Sequence, residues 1–243
     1  TREFAKLRGI SIEMAARDLR YRWFAQLARD TNAEGVCVAH HSDDQVETIL
    51  LNLLRGTGLK GLLGMRRTNG IFLRPLLNLS RRDILEYLDN IGQDYVTDST
   101  NLEDDVQRNK LRLDIIPKLE KVTPAAKQNI LRMADNLGDI EKVVNQSLGE
   151  AMGNSKRQCV SGKAYSMEAI RGYVSPRLLL WSILSPLGFN RAQTEEILSS
   201  TQGGKTWATK GHVAVASNDK LFVYSREDWD KPLPTLRVPE EGL

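Results

Sequence analysis

Apolar residues first fall into helical spacing at Met14, Ala15, Leu19, Trp23, Leu27 and Ala28, which predicts a helix over residues 11–30 with Ser11 as its cap. The run GVCVAH, residues 35–40, is short, apolar and β-branched, the composition of a strand buried on both faces of a parallel sheet. From residue 42 the helical spacing returns. Val46, Ile49, Leu50, Leu53 and Leu54 predict one buried face, with Asp44, Glu47, Leu51 and Arg55 on another. Ser42 and Gln45 have the spacing of a capping box, so this helix is expected to begin at Asp43.

Residues 71–77, IFLRPLL, read as a second short strand with Pro75 at its end or edge. Ser80 and Asp83 then cap a helix, RRDILEYLDNI, that stops at Gly92. A polar loop, DSTNLEDD, precedes another helix, VQRNKLRLDIIPKL. Helix, buried strand and helix in alternation are the rhythm of an α/β domain. The pattern changes at Val122-Thr123-Pro124. Beyond it lie a long helical segment over 125–149 and shorter helices over 175–184 and 191–198. TWATKGHVAVASNDKLFVYS then alternates like strands, joined by turns at Gly211 and Asn218-Asp219. Two domains are expected, residues 1–125 and an α+β domain over 126–243.

Composition narrows the class. The 34 basic and 31 acidic residues leave a formal charge of +3, so nucleic-acid binding needs a local patch rather than a global excess. Arg17, Arg20 and Arg22 beside Tyr21 form one such local cluster. Cys37 and Cys159 are far apart, which argues against a disulfide framework and fits a reducing, cytoplasmic compartment. Cys37, inside the expected strand, reads as a core residue. No apolar run reaches the roughly 18 residues of a membrane span.

The chemistry concentrates at HHSDDQVET, residues 40–48, where the expected strand hands over to a helix. Ligands bind at that edge of open α/β sheets. His40, His41, Asp43, Asp44 and Glu47 together suit Mg²⁺, an amine, or a hydroxyl or amine that needs a base. Zinc ligand spacing is missing.

HHSDDQVETILLNLLRGTGLKGL resembles the HxxDDxxET…RGTGxxGL block of the tRNA(Ile)-lysidine synthetase family. IEMAARDLRYRWF, LRPLLNLSRRDI, DSTN and RNKLR match further blocks of that family in order, densely over residues 10–120. The tail from PRLLLWSILSPLGF to KLFVYS is similar to its C-terminal domain, with weaker motifs.

The resemblance implies the later part of a parallel-sheet PP-loop domain (adenine nucleotide alpha hydrolase-like), followed by a smaller α+β, tRNA-binding domain. It implies ATP-dependent ligation of L-lysine to C2 of the wobble cytidine of tRNA(Ile) with a CAU anticodon, through an adenylated base. ATP and Mg²⁺ come with it, the ion near Asp44. It casts His40, Asp43, Asp44 and Glu47 as catalytic, and Arg55, Gly56, Gly58 and Lys60 as holders of the ATP phosphates. Arg74, Arg108, Asn109 and Arg112 become contacts to tRNA or substrate.

The family's SGGxDS phosphate loop is not among these 243 residues, and the chain opens at Thr1 without Met. That loop is expected before residue 1. The 243 residues alone are then expected to be inactive and to bind ATP weakly, with an unpaired edge near GVCVAH that invites a homodimer. The other readings are a thiolase-type PP-loop enzyme and a tRNA-binding module without ATP chemistry.

Overall fold

The computed structural model describes residues 1–96, 106–159, 161–217 and 219–231. The DSTN segment at 98–101 and its acidic continuation lie outside the described residues, as does Asn218 of the expected Asn218-Asp219 turn. The chain divides into two compact units, Thr1–Glu141 and Lys142–Leu243. The division falls inside a single 30-residue helix, α8 (Ala126–Ser155), rather than at residue 125. The Val-Thr-Pro break at 122–124 marks where a helix starts, and an uninterrupted helix serves both units.

In the first unit α1 (Arg2–Arg8) and α2 (Ile12–Asp30) precede a short sheet of β1 (Val36–Cys37), β2 (Thr68–Asn69) and β3 (Phe72–Leu73). The order is β1-β3-β2. β1 runs parallel to β3 and β2 antiparallel to it, so this sheet is mixed rather than wholly parallel. The short strands expected within 35–40 and 71–77 are two residues each. β1 is an edge strand here, and Cys37 is exposed rather than a core residue.

α2 packs differently from its expected stripe. Ala15 and Ala28 are buried and the Tyr21 ring lies 4.7 Å from Phe72, whereas Met14, Trp23 and Leu27 are exposed. Three strands of two residues offer too little surface to cover the whole stripe.

α3 (Ser42–Leu54) begins one residue earlier than its pattern predicts. His41 is the N-cap, and its backbone N–H donates to Asp44 Oδ2 at 3.1 Å. Gln45 is drawn away from the cap. Its amide donates to Leu63 O and Met65 O and accepts from the Met65 N–H at 2.6 Å, which ties the chain after α4 (Leu59–Leu62) to α3. Val46 and Ile49 are fully buried, each contributing about 1.5–3 kcal/mol relative to exposure. Leu53 and Leu54 are exposed, and Leu51, expected on the polar side, is buried with Val46, Leu111 and Ile116.

The cover for that second face comes from α6 (Val106–Lys110), a wider π-helical turn over Leu111–Ile115, and α7 (Ile116–Val122). α5 (Arg81–Asn90) starts where its sequence predicts. Ser80 Oγ accepts from the Asp83 N–H at 3.1 Å, and Asp83 Oδ2 accepts from the Ser80 N–H at 2.8 Å.

The second unit is built on an antiparallel sheet ordered β4-β5-β8-β7-β6. β6 (Thr206–Ala208), β7 (His212–Ser217) and β8 (Lys220–Ser225) fall within the alternating segment of the sequence. β4 (Lys156–Arg157), β5 (Lys163–Ser166) and α9 (Met167–Arg171) are too short to show a period of their own. α10 (Pro176–Leu184) and α11 (Arg191–Ser199) complete the unit. Tyr165, Leu180, Leu184, Phe189, Trp207 and Leu221 fill the core between helices and sheet.

Candidate functional site

The head of α3 forms one wall of a cavity of about 870 Å³. His41, Asp43, Asp44 and Glu47 line it from α3, Ser80 and Arg81 from the start of α5, Arg112 and Glu120 from the 106–122 helices, and Lys127 from α8. The strand-to-helix junction therefore does open on a cavity, and the first-turn acids face it where the helix dipole favours negative charge.

Glu47 lies deepest, 1% exposed. Arg112 Nε reaches its Oε1 at 2.7 Å and Arg112 Nη2 its Oε2 at 3.0 Å, while Arg108 Nε is 3.0 Å from Oε2. Two guanidinium groups thus close on one carboxylate, and both oxygens are occupied. Arg108 Nη2 also donates to Thr48 Oγ1, which in turn donates to the Asp44 carbonyl. The hydrogen bonds to Glu47 raise the Arg112 pKa against the opposing pull of burial.

Asp44 sits shallower. Its Oδ1 is 3.7 Å from Arg112 Nη2, a longer contact than either Arg112 bond to Glu47, and its Oδ2 meets the His41 N–H and lies 3.5 Å from His41 Nε2. Asp43 is held more firmly, by Lys127 Nζ at 3.0 Å and the Arg81 backbone N–H at 2.8 Å. Burial pushes the Asp43 carboxyl up, but those two donors outweigh it and hold it below its ordinary value. Lys127 is raised in turn: burial works against its charge, and Asp43 and Glu120 more than compensate.

His40 does not line the cavity. Arg74, 6% exposed, donates from Nε to His40 Nδ1 at 3.3 Å and from Nη1 to the Arg66 carbonyl at 2.8 Å. Burial lowers the His40 pKa; Asp44 pulls it up, and Arg74, Arg17 and Arg108 push it further down. A neutral ring accepting from a guanidinium is consistent with that direction.

The structure brings Asp43, Asp44, Glu47 and Arg112 to one cavity, with Arg108 joined to them through Glu47. Asn109 is half-buried beside Arg108, and its amide nitrogen meets no hydrogen-bond acceptor among the described residues. Arg55, Gly56, Gly58 and Lys60 are exposed and do not line the cavity; Gly58 instead caps the four-residue α4. Sequence reasoning missed Lys127, Glu120 and the Arg81 N–H. Lys127 follows Thr-Pro-Ala-Ala at the start of a long helix, and nothing in that pattern points 84 residues back to Asp43. Among the described residues no three His, Cys, Asp or Glu side chains converge as a resident metal requires. Asp43, Asp44 and Glu47 already face Lys127, Arg112 and Arg108.

A family model of the PP-loop domain matches residues 2–119. A second model, the TilS substrate binding domain, matches residues 161–226. The tRNA(Ile)-lysidine synthase of Bacteroides thetaiotaomicron is 40% identical over 244 residues, covering 99% of this chain and 56% of that protein. That of Parabacteroides distasonis is 38% identical over 245 residues, covering 100% of this chain and 55% of that protein. The chain spans about half the length of the curated relatives it matches. A solved structure, the U34-tRNA thiolase NcsA from Methanococcus maripaludis, overlaps 50% of this chain and 42% of its own at 18% identity and a TM-score of 0.42, too loosely to bear on the chemistry. The cavity lining from His41 to Arg112 falls within the residues that the PP-loop model matches, and Glu120 and Lys127 fall beyond them.

Proposed function

We propose that the protein forms lysidine, joining L-lysine to C2 of the wobble cytidine of tRNA(Ile) at the expense of ATP. The relatives named above carry that activity in their names, and the second unit matches a substrate binding domain of the same family.

The observation that carries the reading is the unequal sharing of Arg112. It spends its short hydrogen bonds on Glu47 and keeps only a 3.7 Å contact to Asp44. Of the three α3 acids in the cavity, Asp44 is therefore the one with most capacity for a new cation, and the lysine ammonium is such a cation. Glu47, buried with both oxygens occupied, serves as a positioning residue that fixes Arg108 and Arg112, not as a base.

In this reading the C2 oxygen bonds to the α-phosphorus of ATP as the α–β phosphoanhydride bond breaks and pyrophosphate departs, which makes AMP a leaving group. The lysine ε-nitrogen forms the new bond to C2 as the C2–O bond breaks and its electrons depart with AMP. The proton released from nitrogen passes to the Asp44 carboxylate. Mg²⁺ supplies charge neutralisation to the nucleotide's phosphates when bound. The described residues do not build a cage for the ion by themselves.

Full-length protein incubated with ATP, lysine and a tRNA(Ile) transcript bearing CAU, then digested and read by nucleoside mass spectrometry, tests the proposal. Lysidine should appear, and only when lysine is supplied. A transcript left with unmodified cytidine in the complete mixture overturns it.

A further inference from the structure

Trp181 is the bulkiest side chain of α10, and it stays out of the core. Leu179, Leu180, Ile183 and Leu184 turn inward, whereas Arg177, Leu178 and Trp181, at helical three- and four-residue spacing, face the other way. There α10 and α11 leave a cleft of about 260 Å³, lined chiefly by Arg177, Leu178, Trp181, Arg191 and Glu195. Pockets that enclose drug-sized molecules measure roughly 300–1,000 Å³, so this one suits a single ring system.

The lining has a consistent chemistry. The Arg191 guanidinium carbon lies 5.8 Å from the centre of the Trp181 ring, within cation–π range. Indole and guanidinium both present flat faces on which a planar heterocycle stacks. Leu178, 41% exposed, adds an apolar contact. Arg177 Nη1 is 3.7 Å from Glu195 Oε1, and both side chains are well exposed. A surface pair that loose holds a guanidinium weakly and yields it to a phosphate, which takes two hydrogen bonds from the same fork.

We propose that this cleft is a nucleotide subsite, in which one unpaired RNA base stacks on Trp181 beside Arg191 and its phosphate is held by Arg177. The base must be unpaired, because a base inside a duplex keeps both faces against its neighbours. The inference rests on the RNA-modifying function proposed above and adds a contact made by the second unit.

Binding of the tRNA(Ile) transcript and of polyuridylate to the full-length protein, followed over a salt series, tests it. Trp181→Ala should weaken binding about 5- to 150-fold and leave the salt dependence unchanged. Trp181→Phe, which retains a ring, should keep most of the affinity. Arg177→Ala should lower the salt slope by about one. Affinity of Trp181→Ala within about twofold of wild type overturns the subsite, as does an equal loss in Trp181→Phe with the fold intact. Should Trp181→Ala fail to fold, Arg177→Ala and Arg191→Ala decide, and wild-type affinity in both overturns it. Lysidine formation by the wild-type protein together with unchanged binding by Trp181→Ala removes the subsite alone. No lysidine, with polyuridylate binding still lost in Trp181→Ala, removes the proposed reaction alone.

Discussion

Arg112 reaches Glu47, 65 residues away in sequence, with two nitrogens at 2.7 and 3.0 Å, and Arg108 adds a third at 3.0 Å. The two arginines expected to contact tRNA or substrate both meet a buried carboxylate. Their geometry makes them a clamp that locks the 106–122 helices onto α3 and leaves Asp44 facing the cavity.

Removal of Glu47 should therefore be felt in stability before chemistry. Glu47→Ala strands two guanidiniums at a site where the carboxylate was 1% exposed. Breaking a buried pair from one side costs about 3–5 kcal/mol, and the partial exposure of both arginines puts the expected loss near the lower end, about 3 kcal/mol. Chemical denaturation of the variant checks this. A loss under about 1 kcal/mol would show that the clamp does not hold the helices together.

Asp44 should behave in the opposite way. A first-turn acid contributes about 0.3–1 kcal/mol through the helix dipole, so Asp44→Ala is expected to fold with only a small drop in melting temperature. Lysidine formation by the full-length variant should fall by about a hundredfold or more, the low end of what a positioned base contributes. Turnover close to wild type would remove Asp44 from the mechanism.

His40 gives the first unit a pH dependence. Its pKa in the fold lies below the ordinary 6.5, so between those two values the unfolded chain binds more protons than the folded one. Stability is then full above 6.5 and falls as pH drops through that window, because burial disfavours the charged ring and the Arg74 guanidinium faces it. Asp43, also lowered, adds a separate loss only below its unfolded value of 3.8. Denaturation midpoints measured between pH 7 and about 5 should decline in wild type and flatten in His40→Gln. Equal slopes in the two proteins would place the titration elsewhere.

Gly64 should tolerate no side chain. Its φ is +66°, and a Cβ there would meet Gln45 Oε1 at 2.7 Å, in the same amide that tethers residues 63–65 to α3. Gly64→Ala is expected to cost about 2 kcal/mol, the left-handed penalty of roughly 1–2 kcal/mol together with the weakened tether. In a Gln45→Ala background the penalty should shrink toward the backbone term. A double-mutant cycle with no coupling would mean that Gln45 moves aside freely.

By itself the sequence determined much of the local structure and put a group of acids at a strand-to-helix junction that opens on a cavity. The Ser80–Asp83 cap, the buried Val46 and Ile49, and the acids in the first turn of α3 follow from short-range spacing and from the helix dipole. The hairpin strands of the second unit likewise follow from alternation. Tertiary structure alone decided the rest, since each remaining feature depends on a partner distant in the chain. Leu51 and Glu47 turned inward because Leu111, Arg108 and Arg112 cover a face of α3 that its own pattern marks as polar. Gln45 left its capping position because two carbonyls and an N–H near residue 64 satisfy its amide better than one helix end does. Lys127 joined the site only because α8 passes Asp43. A periodicity records which residues share a face, and it carries no information about what that face will meet.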